Sequence, residues 1–324
     1  MPSLIKSYLV ALGAVLGVLM VASFVFHEPV PVRYAFADGA TTSVTVGNAN
    51  PTITAVAVTP SPITLTENAT TTVTVTATVT DTNGCSDVIS SGTIQFVLYR
   101  TGVAGTSSCS RDANNCYTST TFVTFTVQPS DTCTGGVDTT ANVSSTVPVW
   151  YIADPTDASS SLSAQWWAGY VKAIDFSNGS SSATSTVAVE VNTLAALNVT
   201  NTINYNTGIG NLSSGQNTGT TNQTATTTNT GNSKIDIEFS GTDMTSSSNT
   251  IAATNERYAT SSLDYSLLSH QLLTTTAVRD VNLFDASVTS TPNTSSTYWG
   301  ITVPTGSIAT TYTGTNTFTA VWSN

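Results

Sequence analysis

The chain has 324 residues and a formal net charge of −11, and only 8% of its residues are charged. An acidic chain without a basic run lacks the electrostatic footprint of a nucleic-acid-binding protein and the polybasic patch that holds proteins on anionic membranes. Ser, Thr and β-branched residues are frequent, and polar and apolar residues alternate, so the composition indicates folded β-structure rather than disorder. The length predicts about two domains.

The N-terminal residues 1–37 have the features of an export segment. Lys6 precedes the apolar run "YLVALGAVLGVLMVASFVF", and the segment ends with Ala35-Phe36-Ala37, a small-x-small motif typical of signal-peptidase sites. We therefore predict a signal peptide over residues 1–37. An uncleaved membrane anchor is the alternative, because the run is close to the length that spans a bilayer. Both interpretations predict that the rest of the chain lies outside the cytoplasm, with membrane contact only through an uncleaved N-terminus.

After the export segment, the sequence predicts a flexible mature N-terminus and then a first β-domain. Residues 38–50 are rich in Gly, Thr and Asn, as mobile termini are. Strand patterns then recur at roughly 10-residue spacing with turn residues between them, which is typical of a β-sandwich. The first domain, residues 51–193, has seven predicted strands, A to G, over residues 53–59, 70–79, 92–100, 120–128, 145–153, 165–175 and 185–192.

The remaining residues, 194–324, predict a second β-domain. In residues 222–241 a strand, an Asn-Thr-Gly-Asn turn and another strand form a hairpin pattern. Further strands are predicted in residues 298–306 and 312–322. Residues 261–278 have leucines at helical spacing among many Ser and Thr residues, so we predict a short helix or an irregular crossover there.

Several of these segments resemble immunoglobulin-like domains of bacterial cell-surface and exported proteins. The resemblance depends on "VTATVTDTNG", on "YVKAIDFSNG" and on the final "VAVEV" of the first domain. In the second domain a Pro-x-Gly, a Tyr-x-Gly and an alternating strand resemble adhesion-related immunoglobulin-like domains. The whole chain is similar to two-domain secreted surface proteins. The resemblance implies an all-β protein with two immunoglobulin-like, Greek-key β-sandwiches in tandem after the signal peptide or anchor.

All four cysteines lie in the first domain, and an even number in an exported chain favours disulfides. In a seven-strand sandwich of this type, loops B–C and D–E lie at one end and loop C–D at the other. Cys85 falls in B–C and Cys133 in D–E, whereas Cys109 and Cys116 belong to C–D. We therefore predict the pairs Cys85–Cys133 and Cys109–Cys116. A zinc site is the competing interpretation, although closely spaced cysteine pairs and a nearby histidine are absent.

The stretch "TDTNGCSDV", residues 80–88, places two carboxylates in the B–C loop, Asp81 and Asp87, and Asp175 belongs to the F–G loop at the same end. Asp131 and Asp138 flank Cys133 there. Calcium binds six to eight oxygen ligands, which converging loops could supply. The alternative is that Asp-x-Asn-Gly is ordinary turn chemistry, because Asp bonds its own backbone and Asn-Gly tolerates positive φ. The cofactor prediction is therefore none or Ca²⁺.

Catalytic motifs are not evident, and we predict that the protein is not an enzyme. After the export segment His270 is the single histidine, and no nucleophile-elbow motif accompanies it. Phosphate loops and metal-binding histidine spacings are absent. The sequence does not exclude paired carboxylates for glycoside hydrolysis, because the distance between the two carboxylates depends on the fold and not on their spacing in the chain.

Two functions compete for such a protein. The first is a structural component of the cell envelope, a surface layer or a filament, with other copies or other surface proteins as partners. The second is an adhesin or carbohydrate-binding module whose partners are glycans. Sugar binders use exposed aromatic rings, and alternation around Lys172 places Trp166, Ala168 and Tyr170 on the outward face of strand F. Trp166 and Tyr170 are therefore candidate interaction residues, and a domain or strand contact is the alternative role.

Overall fold

A computed structural model describes residues 39–118, 126–127, 133, 137–199, 202–274, 278–284 and 292–323. Asn48–Asn324 forms one compact unit, separate from Met1–Gly47. The predicted export segment, residues 1–37, lies outside the described residues. Across the described ranges, no helix combines the length and the apolar character that a membrane crossing requires.

The first part of the compact unit is an all-β structure with two four-stranded antiparallel sheets. One sheet has the order β1-β2-β6-β5 and the other has the order β4-β3-β7-β8. A short helix, α1, follows β2. The elements are β1 (Thr52–Thr59), β2 (Thr70–Thr80), α1 (Cys85–Ile89), β3 (Thr93–Arg100), β4 (Cys116–Tyr117), β5 (Thr126–Val127), β6 (Thr140–Trp150), β7 (Trp167–Ile174) and β8 (Ser180–Thr184).

Alternation along the strands places one face of each sheet in a shared core. In β2 the buried residues are Val73, Val75, Ala77 and Val79, and β6 runs antiparallel along its full length with Thr70 opposite Trp150. Because side chains point to opposite faces with a period of two, every second residue of "TVTVTATV" is apolar and faces the other sheet. This alternation fixes the register, since a slip of one residue would expose the valines.

The last predicted strand of the first domain, strand G, lies at other residues in the structure. Predicted strand G covered residues 185–192, but β8 spans Ser180–Thr184. The turn from Asp175 to Gly179 closes directly after β7, so the chain returns beside β7 already at Ser180. Residues 185–192 instead make single bridges, from Val189 to Trp167 and from Val191 to Ile63. Most of predicted strand D lies outside the described residues.

The sheets approach each other closely at Gly169, and this gives a testable prediction. A Cβ at Gly169 would lie 2.8 Å from Val58 Cγ2 and 2.9 Å from Val75 Cγ1, both in the opposite sheet. We expect Gly169→Ala to lower the free energy of unfolding by about 2 kcal/mol, because overpacking forces the sheets apart. Urea denaturation measures this. Gly39→Ala is the control, since its Cβ would meet no described atom within 4 Å. Equal stability of both variants would contradict the close approach.

The second part of the unit is also all-β. Its main sheets have the orders β15-β14-β17-β10-β9 and β16-β11-β18, with a separate β12-β13 hairpin. The strands are β9 (Leu197–Val199), β10 (Gln223–Asn229), β11 (Ile235–Gly241), β12 (Met244–Ser246), β13 (Asn249–Ile251), β14 (Glu256–Ala259), β15 (His270–Gln271), β16 (Val278–Phe284), β17 (Thr294–Ile301) and β18 (Asn316–Trp322).

The predicted hairpin in residues 222–241 is wrong, because its two strands belong to different sheets. β10 pairs with β9 and β17, whereas β11 pairs with β16 and β18. The turn between them is buried and bonds to residues 194–196 rather than closing a two-stranded ladder. The amide of Thr230 donates to Ala196 O, and the amide of Asn232 donates to Leu194 O. These bonds direct the chain from one sheet to the other.

The leucine-rich stretch at residues 261–278 is an irregular crossover in its described part, residues 261–274. It contains a single 3₁₀ turn, Tyr265–Leu267, followed by β15. Asp264 caps this turn, because its Oδ1 accepts hydrogen bonds from the amide and the hydroxyl of Ser266. Leu268 and Leu272 are buried, whereas Leu267 is exposed, so the leucines do not share one helical face.

Each sheet pair encloses its own hydrophobic core. The first core extends along the chain to Val191 and includes the fully buried Trp167. The second contains a cluster of rings in which Phe239 contacts Tyr258, Trp299 and Phe318 at centroid distances of 4.5, 5.7 and 5.0 Å. Contacts of this kind add to the stability that burial alone provides.

Candidate functional site

Three loop segments meet at one end of the first sandwich and bring three carboxylates together. Asp81 directly follows β2, Asp87 lies in α1, and Asp175 directly follows β7. One carboxylate oxygen of each residue lies within 4.8 Å of those of the other two. We call this group the three-acid cluster. The residues predicted from the loop positions are thus the residues that the structure brings together.

The local backbone fixes two of these carboxylates. The amide of Asn83 donates to Asp81 Oδ1 at 2.8 Å, which forms an Asx turn. The amide of Gly179 donates to Asp175 Oδ1 at 2.7 Å, and a Cβ at Gly179 would lie 2.4 Å from Asp175 Oδ2, so glycine is needed there. The turn chemistry that the sequence indicated is therefore present, and it orients the carboxylates rather than excluding a second role for them.

Burial makes the three-acid cluster unusual. Asp81 is only 1% exposed and Asp175 only 3%, while Asp87 is half-buried. Asp81 Oδ1 accepts from the amide of Asn83, whereas its other oxygen, Oδ2, is buried and has no hydrogen-bond partner among the residues that the structure describes. Buried polar atoms are almost always paired, so an unpaired carboxylate oxygen needs an explanation.

The electrostatics of the cluster are unfavourable without a cation. Burial raises the pKa of Asp81, and the negative charges of Asp87 and Asp175 raise it further, while the hydrogen bond from Asn83 opposes both effects. Within the described ranges, no lysine or arginine forms an ion pair with any of the three carboxylates. Clustered carboxylate oxygens that lack a basic partner are the donor set that hard cations such as Ca²⁺ prefer.

The chain segment before β1 also reaches the three-acid cluster. Asn48 Nδ2 donates to Asp175 Oδ2 at 2.9 Å, and the amide of Ala49 donates to Asn83 Oδ1 at 2.7 Å. Residues 48 and 49 were predicted to belong to a flexible terminus, but hydrogen bonds hold them against the B–C and F–G loops. Neither Asn48 nor Asn83 was predicted as part of the site, although Asn83 belongs to the Asp-x-Asn-Gly turn; the signal for Asn48 is the polar "NAN" shortly before the first strand.

Two disulfides occur, with the pairing predicted from the strand order. Cys85 pairs with Cys133 at a Cα–Cα distance of 5.8 Å, and Cys109 pairs with Cys116 at 6.2 Å. The first bond holds the start of α1, the helix that carries Asp87. Both bonds fit an oxidising compartment outside the cytoplasm.

The predicted outward aromatic face of β7 is largely covered. Trp166 is 41% exposed, but Tyr170 is half-buried and Ala168 is buried. The expectation that Ala168 faces outward to solvent is wrong, because the segment after β3 folds back over this face. The Cys109–Cys116 disulfide of this segment packs with Ala168 and Tyr170. Val97 and Tyr99 belong to the same small cluster, which is separate from the main core of the first sandwich. Trp166 is therefore exposed, but Tyr170 is less exposed, so the two rings do not form an equally exposed pair.

A buried joint, which was not among the predicted features, connects the two sandwiches. Asn232 Nδ2 donates to Ala153 O of the first sandwich at 2.9 Å and to Asn192 O at 3.2 Å, and Asn232 Oδ1 accepts from the amide of Leu194 at 2.7 Å. Thr230 Oγ1 donates to Glu67 Oε1 at 2.6 Å.

Close packing adds to these bonds. A Cβ at Gly231 would lie 2.0 Å from Leu194 O, so only glycine fits at this position of the joint. The "NTGNS" stretch is the sequence feature that forms the joint, but the same residue types are equally typical of an exposed turn.

His270 occupies a structural position. It lies in β15, and its ring stacks on Tyr258 at a centroid distance of 5.2 Å. Tyr258 belongs to the second core, so the histidine covers the edge of that ring cluster.

Comparisons with known proteins do not place the chain in a family. No protein-family model matches it, and no curated protein is significantly similar. Among solved structures, the secreted serine protease VesC from Vibrio cholerae is 12% identical with a TM-score of 0.19, over 80% of this chain and 49% of that protein. Dimeric latent PorU from Porphyromonas gingivalis is 11% identical with a TM-score of 0.22, over 86% and 20%. The chain thus spans about half of the first protein and a fifth of the second, and TM-scores this low define neither fold nor activity.

Proposed function

We propose that the protein is a non-enzymatic, exported surface protein that presents or assembles β-sandwich domains in the cell envelope, a surface layer or a filament. The two disulfides support export, because such bonds persist in oxidising compartments. One sheet has the order β1-β2-β6-β5, and the other contains the run β3-β7-β8 with β4 added at its edge. This arrangement supports an immunoglobulin-like sandwich, whose constant type has strands A, B, E and D facing C, F and G.

The buried joint supports a structural role. Flexible linkers allow neighbouring domains to move independently, whereas here the β10–β11 turn bonds both to the linker and to the first sandwich. The side chain of Asp157 strengthens the connection, since Asp157 Oδ2 accepts from the amide of Thr193 at 2.6 Å. Two sandwiches joined in this way form a stiff unit, which suits a protein that spaces or carries other surface components.

The outer strand β18 is the observation that supports assembly of the protein with other copies of itself. Among the described strands it lies at the edge of its sheet, where it pairs with β11. Its sequence, "NTFTAVW", contains no charged residue and no proline. Proteins usually protect edge strands with lysine, other charges or proline, because unpaired backbone groups accept strands from other chains. An edge without these residues can pair with a second copy by strand addition.

Light scattering across protein concentration tests this proposal. The mature chain is expected to associate reversibly, and Thr319→Lys in β18 is expected to shift association to about 10-fold higher concentration by placing a charge at the edge. Thr250→Lys, at an exposed position of the β12-β13 hairpin, is the matched control and should associate as the wild type does. A strict monomer that binds a glycan array would contradict assembly and would favour the adhesin function, with the exposed Trp166 as its first candidate contact.

A further inference from the structure

We propose that one calcium ion binds between Asp81, Asp87 and Asp175 and fixes residues 48–50 onto this end of the first sandwich. The proposal goes beyond the proposed surface function and does not depend on it. It rests on two observations: the mutual approach of the three carboxylates, and the buried Oδ2 of Asp81, one of the three residues, which has no partner among the described residues.

The spacing of the carboxylates fits a single ion. Calcium binds oxygen ligands at about 2.3–2.6 Å, so two oxygens on one ion lie at most about 5.2 Å apart. The carboxylate oxygens of the three-acid cluster lie within 4.8 Å of one another, inside that limit. Calcium accepts a variable number of ligands and flexible geometry, so three carboxylates form a sufficient protein contribution when water or carbonyl oxygens complete the shell.

The buried oxygen favours an ion over an ordinary turn. The Asx turn explains Asp81 Oδ1, which accepts from Asn83, but it gives no partner to Oδ2. An isolated ionised carboxylate is costly to bury, and two further carboxylates beside it increase that cost. A divalent cation removes the cost by pairing with all three. Turn chemistry alone would work equally well with Asp81 exposed.

The surroundings of the three-acid cluster are organised for a cation. Asn48 Nδ2 and the amide of Gly179 hold Asp175 from two sides, and the Cys85–Cys133 disulfide fixes the helix that carries Asp87. Such supporting contacts fix the orientation of ligand groups before a metal binds. These contacts also connect the ion to residues 48–50, because the amide of Ala49 donates to Asn83, which lies in the same loop as Asp81.

The first experiment compares thermal unfolding of the mature chain in chelator and in millimolar CaCl₂. At a calcium concentration 100 times the dissociation constant, binding to the folded state alone raises the folded-to-unfolded ratio by about 100-fold. We expect a clear rise in Tm for the wild type. Asp81→Asn should abolish this rise and should be at least as stable as the wild type in chelator, because it removes one of three crowded charges.

Asp112→Asn is a closely matched control. Asp112 forms the same Asx turn, with the amide of Asn114 donating to its Oδ1 at 2.8 Å, but it is exposed and lies outside the three-acid cluster. This variant should keep the full calcium response. An identical wild-type Tm in chelator and in calcium would overturn the proposal, and so would a full calcium response in Asp81→Asn.

Hydrogen exchange on the wild type provides a second test that needs no variant. The amides of Asn83 and Ala49 bond to side-chain oxygens in and beside the three-acid cluster. Calcium is expected to slow their exchange at least about 10-fold, because it closes the local opening that separates residues 48–50 from the loops. Unchanged exchange at both amides would exclude the proposed fixation of the N-terminal segment.

Discussion

Replacing Asn232 by alanine is expected to lower the free energy of unfolding by about 4 kcal/mol. Asn232 is 2% exposed, and its side chain bonds to Ala153 O, to Asn192 O and to the amide of Leu194. The substitution leaves these three backbone groups without their partner, and each unsatisfied buried group costs about 1–3 kcal/mol. The loss is therefore much larger than that of a typical surface hydrogen bond.

The same variant is expected to separate the unfolding of the two sandwiches. The joint connects them through the β10–β11 turn. Its loss therefore weakens the coupling between the two sandwiches more than it destabilises either hydrophobic core. Calorimetry should show one transition for the wild type and two for Asn232→Ala. Asn217→Ala is the matched control, since Asn217 is exposed and, within the described part of the chain, its side chain accepts only from the amide of Gly219. A single transition and a loss below about 1 kcal/mol in Asn232→Ala would contradict a structural role of the joint.

Stability is also expected to depend on pH through Glu256, by about 3 kcal/mol. Glu256 is 1% exposed, and no described lysine or arginine pairs with it. Burial raises its pKa from 4.5 to about 7, although the hydrogen bond that Asn316 Nδ2 donates to Glu256 Oε2 opposes the shift. Each pKa unit corresponds to about 1.4 kcal/mol of difference between the two protonation states.

The direction of this pH dependence follows from proton binding. The folded state holds the proton of Glu256 more tightly than the unfolded chain does. Its favourable contribution is therefore complete below about pH 4.5 and is lost as the pH rises through about 7. Tyr205, which lies beside Glu256, has a pKa raised well above its ordinary value by burial and stays neutral in this range.

Glu256→Gln isolates the effect. The glutamine variant is expected to match the wild type at pH 4 and to exceed its free energy of unfolding by about 3 kcal/mol at pH 8.5. Urea denaturation at a series of pH values measures the difference between the two proteins. Glu190→Gln, at an exposed position, should follow the wild type throughout. Parallel pH profiles for Glu256→Gln and the wild type would contradict the raised pKa of Glu256.

The alternation of side chains determined the all-β class and the strands that line the first core. Residues 70–79 already contain every second apolar residue that packs between the sheets, because side-chain direction in a strand is a local property. The cysteine pairing also followed from the order of the strands, since that order decides which loops share an end of the sandwich. The same assignment of loops to ends of the sandwich predicted that Asp81, Asp87 and Asp175 lie together.

Contacts between distant segments determined which strands became neighbours across a turn. "NTGNS" reads locally as a hairpin, yet β10 and β11 enter different sheets because the turn bonds to Leu194 and Ala196, more than 30 residues away. Periodicity specifies which face of a strand is apolar, but it does not specify what covers that face. Ala168 illustrates this limit, since its outward side is buried by the segment that folds back after β3.

The same distinction applies to the candidate site. Sequence showed carboxylates on neighbouring loops, and folding determined that Asp81 Oδ2 is buried without a partner and that Asn48 reaches Asp175. Burial and hydrogen bonding depend on contacts between distant segments, here 127 positions apart for Asn48 and Asp175. Glu256 follows the same rule, because its raised pKa arises from the core that closes around it rather than from its neighbours in the chain.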